Sequence, residues 1–471
     1  MTLVAPESRE AAIGARERLE LLCDRGSFVP LRSGVLSTSV GDRAQPGDGV
    51  IAGAGRVAGR PTFCYAEDAR FMAGTLGVAH ADSIVRVLGL AARAGAPVVG
   101  FIESGGARLQ EGNRALGGYG RVFKATVALS SRAPQISIVT GTSAGGGAYS
   151  PALTDFVVMT DAARLFLTGP RVVKAALGEE VTMEELGGPS LHRKNGVCHL
   201  VARSDADAAA LARELLALLP QSVGEAPPVT ISSDPPPGDP ANPVPLAARR
   251  VYDVREVARH IFDDGHLLEL SPRWAPNMVT ALARLEGRPV GVLANQPWRL
   301  GGVIDAAAAE KAALFVRTCD RFRLPLAVLV DTPGFMPGRR QEAAGVIRYG
   351  ADLLRAFAAA TVPRVTVVLR KAYGGAVITM NSKDLGADMV FAWPSAEIGI
   401  MAAQQAVGVV HRRRLSAADG DGVDVAELVA AYADEHLSAE RAAASGFVDE
   451  VIAAGDTRSR LAWAISSLEG R

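Results

Sequence analysis

The sequence predicts an α/β protein built from two tandem copies of one domain, and three observations lead to this prediction. A proline-rich stretch interrupts the chain near its midpoint. Glycines and prolines on the two sides of that stretch match each other at a constant offset. Within each half, apolar strands alternate with helical stretches, which is typical of mostly parallel sheets flanked by helices.

The proline-rich stretch sets the expected domain boundaries. Nine prolines fall between Pro220 and Pro245, and so dense a set excludes both a helix and a central strand. An extended linker fits this composition. We therefore expect a first domain over residues 1–220, a linker over residues 221–247 and a second domain over residues 248–471.

The match between the halves runs through most of their length. Gly59 in "GRPTFCYAED" corresponds to Gly287 in "GRPVGVLANQ", and the same offset of 228 residues relates "FIESGG" to "VLVDTPG". With one residue added, Pro134 in "PQISIVTGTSAGG" corresponds to Pro363 in "PRVTVVLRKAYGG". Glycines and prolines held at a constant offset over so long a span indicate a duplicated unit.

Each half repeats one local order of elements. An apolar strand ends at a glycine-containing turn ("APVVGFIES", "LPLAVLVDT"), a helix follows, and a second strand starts at a proline ("PQISIVTG", "PRVTVVLR"). In such sheets the loops at the carboxyl ends of the strands form the binding sites. Both glycine-rich turns fall at that end, so we expect the functional sites there.

Composition excludes several classes of function. The 471 residues include 50 Lys and Arg and 50 Asp and Glu, so the formal net charge is zero and neither nucleic acid nor a membrane surface is an expected partner. The sequence contains no apolar run of membrane-spanning length, and its N-terminal stretch lacks a secretory signal. The cysteines form no CxxC pair and the histidines show no metal-ligand spacing, so we expect no metal site and a reducing, cytoplasmic location.

The stretch "GTSAGGGAYSPALTD" begins with the G-x-S-x-G pattern of serine hydrolases. Its serine, Ser143, aligns with Ala372 in the second half, whereas Gly145 and Gly146 align with Gly374 and Gly375. The duplication therefore keeps the glycines and not the hydroxyl. We interpret Ser143 as a small turn residue, although aspartates and histidines do follow it in the chain order of a catalytic triad.

Glycine-rich turns at the start of a helix leave backbone N–H groups open to a ligand. No side chain covers these groups, no helical carbonyl precedes them, and the helix dipole adds partial positive charge. Two such N–H groups can stabilise an oxyanion, for example an enolate or a ureido oxygen. Two matched turns thus predict two oxyanion sites in this chain.

Longer motifs resemble a known family, the β subunits of acyl-CoA carboxylases. "SGGARLQEG", "PQISIVTGTSAGGGAYSPALTDFVVM" and "LTGPRVVKAALGEEVTMEELGG" resemble the N-terminal half of these subunits. "ANQPWRLGG", "EKAALFVRTCDRFRLPLAVLVDTPGFMPG" and "RKAYGGAVITMNSKDLGAD" resemble the C-terminal half. The chain lacks the four-cysteine zinc ribbon of the split bacterial acetyl-CoA carboxylase, so it is more similar to the actinobacterial acetyl-/propionyl-CoA carboxylase type.

The resemblance implies two tandem crotonase-like domains and the carboxyltransferase reaction of a biotin-dependent acyl-CoA carboxylase. It also implies a homohexamer, a trimer of dimers, with each active site between the N-terminal domain of one subunit and the C-terminal domain of its neighbour. Acyl-CoA would bind on the N-terminal side. Biotin would enter from the C-terminal side as carboxybiotin, carried by a partner α subunit with biotin carboxylase and carboxyl carrier functions, because the chain has no Met-Lys-Met biotinylation site.

The resemblance also implies roles for individual residues. Gly145 and Gly146 would hold the thioester oxygen, and Gly375 and Ala376 the ureido oxygen of biotin. The internal alignment pairs Ala376 with Gly147, so the choice of an adjacent pair within Gly145–Gly147 stays open by one position. Three further groups follow from the motifs: Gly106, Ala107, Arg108 and Gly147 for acyl-CoA binding, Gly334, Phe335, Tyr373 and Gly374 for biotin binding, and Ile378 for substrate specificity.

Substrate and reaction direction leave alternatives open. Ile378 stands where propionyl-preferring relatives carry Asp, so the resemblance favours carboxylation of acetyl-CoA to malonyl-CoA for fatty acid synthesis, with propionyl-CoA as a second substrate. One alternative is a crotonase-fold hydrolase or isomerase that acts on acyl-CoA alone. It would need a carboxylate base near the oxyanion site, for which Glu111 is the nearby candidate. The other alternative is a decarboxylase of malonyl-type thioesters, which shares its transition states with the carboxylase.

Overall fold

The computed structural model describes residues 13–245, 247, 250–412 and 424–468. The chain divides into two compact units, here called unit 1 (Met1–Ala226) and unit 2 (Pro227–Arg471). Each unit contains one sheet with helices packed against it.

The sheet of unit 1 has the strand order β1-β2-β3-β4-β5-β6-β8, and β7 pairs with β5. The first two pairings are antiparallel, and the pairings from β3 onwards are parallel. The strands are β1 Val29–Leu31, β2 Val50–Val57, β3 Arg60–Glu67, β4 Val98–Ser104, β5 Gln135–Ala144, β6 Phe156–Thr160, β7 Arg164–Phe166 and β8 Leu200–Ala202. The helices are α1 Ala15–Leu22, α2 Val78–Ala94, α3 Asn113–Ser130, α4 Gly146–Ala152, α5 Pro170–Leu177, α6 Met183–Gly187, α7 Pro189–His192 and α8 Asp205–Leu218.

Unit 2 repeats this topology, with the strand order β9-β10-β11-β12-β13-β14-β16 and β15 paired with β13. Its strands are β9 Leu268–Glu269, β10 Met278–Leu285, β11 Arg288–Asn295, β12 Leu326–Thr332, β13 Arg364–Tyr373, β14 Met389–Ala392, β15 Glu397–Gly399 and β16 Glu450–Val451. Its helices are α9 Val254–Arg259, α10 Ala306–Arg321, α11 Arg339–Ala343, α12 Val346–Ala359, α13 Gly375–Thr379, α14 Ala403–Val410, α15 Val425–His436, α16 Ala439–Ala444 and α17 Thr457–Ser467. The prediction of a duplicated α/β fold is confirmed.

The helix α2 illustrates how the sequence builds these layers. Its buried side chains include Ile84, Leu88 and Ala91, which recur every three or four residues and so share one face. That face packs against β2 and β3. Each buried Leu or Ile contributes about 1.5–3 kcal/mol of hydrophobic stabilisation. The helix ends at Gly95, which adopts the left-handed conformation (φ +58°) that closes many helices.

One irregularity recurs at the same place in both sheets. Between β4 and β5, Ile102 pairs with Val139 but Ser104 pairs with Ser143, so β5 has two extra residues at this point. The pairing of β12 with β13 shifts in the same way between Val330 and Thr332. Beyond the shift, the last three residues of β5 and β13 pair with the short strands β7 and β15. The irregularity therefore redirects the turn that follows each strand.

The described residues of the proline-rich segment form neither helix nor strand between Leu218 and Val254. From Pro227 onwards the segment belongs to unit 2 and is bonded to it. The N–H of Thr230 donates to the carbonyl of Gly287 (2.9 Å), and Arg284 donates to the carbonyl of Pro228 (3.0 Å). Residues 228–231 thus lie along the β10–β11 hairpin. The domain and linker boundaries deduced from sequence stay a prediction.

The four cysteines are buried and free. The fold brings two of them together, because the sulfur atoms of Cys23 and Cys64 lie 3.8 Å apart. Within the described ranges, no group of three His, Cys, Asp or Glu side chains is arranged to hold a metal ion. No helix in this part of the chain combines the length and the apolar character needed to cross a membrane.

The two hairpin glycines, Gly59 and Gly287, provide a matched test of how unit 2 holds the proline-rich segment. Both have positive φ (+76° and +78°), but a Cβ atom on Gly287 would clash with the carbonyl of Thr230, whereas one on Gly59 would have no atom within 4 Å. We expect Gly59→Ala to cost about 1 kcal/mol of unfolding free energy from backbone strain alone. Gly287→Ala should cost at least about 2 kcal/mol more, because it displaces the segment as well.

Urea unfolding of the full-length variants, followed by circular dichroism, measures both costs. Faster proteolysis within residues 227–247 should accompany Gly287→Ala only. Equal destabilisation by the two substitutions would show that the contact between Thr230 and the hairpin contributes nothing.

Candidate active site

A glycine with positive φ ends the long central strand of each sheet. Gly145 (φ +59°) follows β5 and precedes α4, and Gly374 (φ +65°) follows β13 and precedes α13. Side chains rarely tolerate this conformation, so glycine is needed at both positions. The chain thereby reverses within one residue and starts a helix at the carboxyl end of the sheet.

The N–H groups of these two glycines are already hydrogen-bonded. Gly145 donates to the carbonyl of Phe166 (3.1 Å) at the end of β7, and Gly374 donates to the carbonyl of Gly399 (2.9 Å) at the end of β15. The prediction that the N–H of Gly145 holds a thioester oxygen is therefore wrong, because the donor is engaged inside the fold. In the structure Gly145 of unit 1 corresponds to Gly374 of unit 2, because each follows the central strand and precedes a helix. The roles implied by the resemblance would instead make Gly145 correspond to Gly375, one residue further along.

The next N–H groups belong to the first turns of α4 and α13, where no helical carbonyl precedes them. No hydrogen bond joins the N–H of Gly146, Gly375 or Ala376 to another residue in the described ranges. The N–H of Gly147 faces the Tyr119 hydroxyl oxygen and donates to it. Each turn thus presents at least one open donor at the positive end of a helix.

A second loop reaches each turn from the neighbouring strand. After β4, the carbonyl of Gly106 and the N–H of Arg108 bond to Leu76 (2.9 and 3.0 Å). Because successive amides of an extended chain alternate in direction, the N–H of Ala107 points away from this pairing. A Cβ atom on Gly106 would lie 3.5 Å from the carbonyl oxygen of Ala144, so the loop contacts the glycine turn.

Unit 2 has the same arrangement after β12. The carbonyl of Gly334 and the N–H of Met336 bond to Ile304 (3.0 and 2.8 Å), which leaves the N–H of Phe335 directed away. A Cβ atom on Gly334 would lie 3.9 Å from the carbonyl oxygen of Tyr373. The fold therefore brings the predicted residues Gly334 and Phe335 next to Gly374 and its helix.

Tyr119 connects the two loops of unit 1, and sequence reasoning did not identify it. Its hydroxyl lies 3.1 Å from the hydroxyl of Ser104, which donates to the carbonyl of Gly74 (2.9 Å), and it accepts from the N–H of Gly147. Burial raises the pKa of Tyr119 well above its usual value, so the hydroxyl keeps its proton. The aromatic ring also lies beneath Gly146, where a Cβ atom would be 2.8 Å from it.

The two turns differ in the space around them. A Cβ atom on Gly375 would have no atom of the described residues within 4 Å, in contrast to Gly146. Gly374 and Gly375 line a cavity of about 790 Å³, together with Ile378, Ile398 and other largely apolar side chains. Ile378 is 48% exposed and lies on the cavity wall. The unit 1 turn is thus closely packed, and the unit 2 turn is open to a bulky group.

Arg108 is not available to acyl-CoA, contrary to the prediction. Its side chain is completely buried and bonds to Asp48 (2.6 Å), Glu111 (3.1 Å) and the carbonyl of Thr75 (2.9 Å). Burial favours a raised pKa for Glu111, but the N–H of Val78 and the partners Ser37 and Arg108 hold this pKa below the usual value. Glu111 is therefore a paired carboxylate, unsuited to act as a base near neutral pH.

The side chain of Tyr373 is also unavailable, contrary to its predicted contact with biotin. It is 5% exposed, packs against Leu437 and Ala403, and donates its hydroxyl to Glu397. Ser143 is completely buried on β5, and its hydroxyl has no hydrogen-bond partner among the residues that the structure describes. A nucleophilic role for Ser143 is excluded by this burial.

Comparison with known proteins identifies the family. Residues 7–470 match the carboxyl transferase domain. The chain belongs to this family. The match covers almost the full length, and it confirms the family that the motifs predict together with its class of enzyme, a biotin-dependent carboxyltransferase.

Curated relatives agree over nearly the whole chain. The methylmalonyl-CoA carboxyltransferase 12S subunit of Propionibacterium freudenreichii subsp. shermanii is 46% identical over 458 residues, which cover 96% of this chain and 87% of that protein. The propionyl-CoA carboxylase beta chain of Saccharopolyspora erythraea is 44% identical over 486 residues, covering 99% and 89%. An acetyl-/propionyl-coenzyme A carboxylase beta5 subunit of Mycobacterium tuberculosis is 42% identical over 483 residues, covering 97% and 86%.

Solved structures show the same fold. The transcarboxylase 12S subunit, described as a hexamer with methylmalonyl-coenzyme A bound, has a TM-score of 0.93 at 44% identity and covers 97% of this chain and 89% of its own. A single-chain, multi-domain long-chain acyl-CoA carboxylase has a TM-score of 0.85 at 32% identity, covering 96% of this chain and 46% of its own. The carboxyltransferase crotonase-like fold of the two units is thereby confirmed.

The hydroxyl of Tyr119 provides a test of the site's construction. Tyr119→Phe leaves the N–H of Gly147 without its partner, so we expect the free energy of unfolding to fall by about 1–3 kcal/mol. Tyr149→Phe is the matched control, because Tyr149 is half exposed. This substitution should change the free energy of unfolding by no more than about 0.5 kcal/mol. Urea titration of the full chain measures both, and equal effects of the two substitutions would contradict the role of Tyr119.

Proposed function

We propose that the chain transfers a carboxyl group between biotin, carried by a partner subunit, and the α carbon of a short acyl-CoA. The observation that carries this proposal is the pair of matched turns with open first-turn N–H groups, one in each unit. Transfer of a carboxyl group to a thioester α carbon develops negative charge on two oxygens, those of the enolate and of the biotin ureido group. Two backbone oxyanion sites suit such a reaction.

We assign the thioester oxygen to unit 1, to the N–H of Gly146 together with the N–H of Ala107 from the neighbouring loop. Gly147 is less suited than Gly146 to donate, since its N–H is directed at the Tyr119 hydroxyl. The close packing of Tyr119 against Gly146 fixes this donor before substrate arrives. Preorganised donors stabilise a developing oxyanion without reorganisation during the reaction.

We assign biotin to unit 2, with the N–H groups of Gly375 and Ala376 directed at its ureido oxygen. The space over Gly375 and the apolar cavity of about 790 Å³ beside it fit a bulky bicyclic ring better than the closely packed turn of unit 1 does. When bound in its carboxylated form, biotin supplies the carboxyl group and afterwards a basic ureido nitrogen. The residues of this chain bind and orient it, and Phe335 adds a further N–H from the loop after β12.

A carboxyltransferase of this kind needs no nucleophile or base from its own side chains. This agrees with the burial of Ser143 and with the pairing of Glu111 to Arg108, which remove the nearest candidates for such roles. The same facts weaken the alternative of a crotonase-fold hydrolase or isomerase, which would require a carboxylate base. Proximity of the two bound groups and stabilisation of both oxyanions would supply most of the rate.

We propose acetyl-CoA as the preferred substrate and propionyl-CoA as the second. The resemblance supports this preference, because Ile378 stands where propionyl-preferring relatives carry Asp, while the names of the relatives include methylmalonyl-CoA and propionyl-CoA. The partner would be an α subunit with biotin carboxylase and biotin carrier functions. By analogy with the hexamer described for the 12S relative, we also propose a homohexamer, with the cytoplasm as its location.

Fixation of labelled bicarbonate tests the proposed reaction. In the presence of ATP and a purified biotin-carrying α subunit, we expect label in malonyl-CoA and methylmalonyl-CoA, and no label when the α subunit is omitted. A kcat/KM for propionyl-CoA tenfold or more above that for acetyl-CoA would contradict the substrate preference. Release of free CoA without ATP or biotin would favour the hydrolase, and loss of CO2 from malonyl-CoA as the sole activity would favour the decarboxylase.

Gly375→Val tests the oxyanion site itself. The turn has room for a side chain at this position, so we expect normal folding, but the valine would cover the open N–H groups. Loss of an oxyanion donor costs about 10²–10³ in kcat, and we expect a decrease of that size in carboxyl transfer. The matched control is Ser143→Ala, which should keep activity within about threefold because the hydroxyl is buried and contacts no reacting group. Full activity of a folded Gly375→Val protein would refute the assignment.

A further inference from the structure

An acidic residue stands at the end of β4 and again at the end of β12, immediately before the loops that carry the N–H groups of Ala107 and Phe335. In unit 1 it is Glu103, whose N–H donates to the carboxylate of Glu67 on β3 (2.9 Å). In unit 2 it is Asp331, whose N–H donates to the side-chain oxygen of Asn295 on β11 (3.3 Å). The backbone of both residues is thus fixed in the same way by the adjacent strand.

The side chain of Glu103 is paired with an arginine from outside the sheet. Arg18 on α1 donates to Glu103 (2.7 Å) and also to Asp205 at the start of α8 (2.9 Å). Arg18 is almost completely buried. One guanidinium therefore ties α1, β4 and α8 together, and Arg18 and Glu103 line one cavity with Gly105 of the adjoining loop.

Asp331 is paired with an arginine from a different part of the chain. Arg370, on the adjacent strand β13, donates to Asp331 (3.0 Å) and to the carbonyl of Arg250 (2.9 Å). By the internal alignment, the residue of unit 1 that corresponds to Arg370 is Gly141, where a Cβ atom would clash with the carboxylate of Glu103. The two units thus reach the same pairing with arginines from unrelated positions.

Such agreement indicates that the pairing itself is needed at this place. Asp331 is fully buried, whereas Glu103 is partly exposed beside the buried Arg18. A buried charge is retained only where a partner compensates it, and burial does raise the pKa of Asp331, against which Arg370 and Lys371 act. A fixed carboxylate holds the next-to-last residue of the strand in place, and the loop begins two residues later. The catalytic assignments above do not use any of these four charged groups.

We propose that Glu103 and Asp331, each held by its arginine, are positioning residues for the two oxyanion sites. Glu103 with Arg18 fixes the loop of Ala107 on the thioester side. Asp331 with Arg370 fixes the loop of Phe335 on the biotin side. This inference rests on the proposed function for its chemistry, while its structural part concerns loop order alone.

Hydrogen exchange in the full-length protein tests the structural part, with Glu103→Gln and Asp331→Asn as a reciprocal pair. Both substitutions remove charge and keep shape. In Glu103→Gln we expect exchange at the amides of Gly105 and Arg108 to accelerate at least tenfold, with Gly334 and Met336 unchanged. Asp331→Asn should give the reverse pattern. Arg18→Met should reproduce the effect of Glu103→Gln, because it breaks the same pair from its other side.

Transfer between a carboxylated acyl-CoA and free biotin tests the chemical part in the same variants. Glu103→Gln should lower kcat/KM for the acyl-CoA about 10- to 100-fold and that for biotin less than threefold, and Asp331→Asn should do the opposite, since misplacement by about 1 Å costs up to 10²-fold. The proposal would be overturned if each variant accelerated hydrogen exchange at both loops or at neither loop. It would also be overturned if each variant lowered kcat/KM equally for the acyl-CoA and for biotin. Absence of transfer in the unmodified protein would instead refute the proposed function and leave the exchange result to decide loop positioning.

Discussion

The candidate site depends on one hydrogen bond that each unit makes at the end of its central strand. Gly145 donates to Phe166 and Gly374 donates to Gly399, and both glycines adopt a positive φ that other residues rarely reach. This bond fixes the direction in which the next helix starts. The first-turn N–H groups of α4 and α13 then point out of the sheet at its carboxyl end, where no helical carbonyl can accept them.

The strand pairing in each sheet determines where the hydrogen bond of Gly145 or Gly374 forms. The two extra residues in β5 and β13 separate the end of each strand from β6 or β14 and pair it with β7 or β15, whose last residue provides the accepting carbonyl. The loops after β4 and β12 lie against the same turns. Duplication of this construction gives one chain two helix-starting glycine turns with open N–H groups, one packed by Tyr119 and one with more space around it. This difference in space is the reason for proposing ligands of different size at the two turns.

The sequence predicted the fold well because duplication and strand–helix alternation leave regular traces in glycines, prolines and apolar runs. It also predicted Gly146, Gly375 and Ala376 as donors, since backbone donors need small residues at fixed offsets, and their role stays a prediction. Arg108 and Tyr373 were misassigned because a motif gives the order of side chains and not their burial. The shared acidic character of Glu103 and Asp331 was visible at a constant offset, but their partners were not. Arg18 and Arg370 come from unrelated segments, and only the folded chain brings them to the same place.

The central claim is that backbone N–H groups, and not side-chain nucleophiles, hold both reacting oxygens. The most direct measurement is an experimental structure of the protein with an acyl-CoA and biotin bound. The account predicts the thioester oxygen about 2.7–3.1 Å from the nitrogen of Gly146, and the ureido oxygen at a similar distance from the nitrogen of Gly375. Either oxygen beyond hydrogen-bond distance of these turns, or a thioester carbon in contact with a side-chain nucleophile, would contradict it.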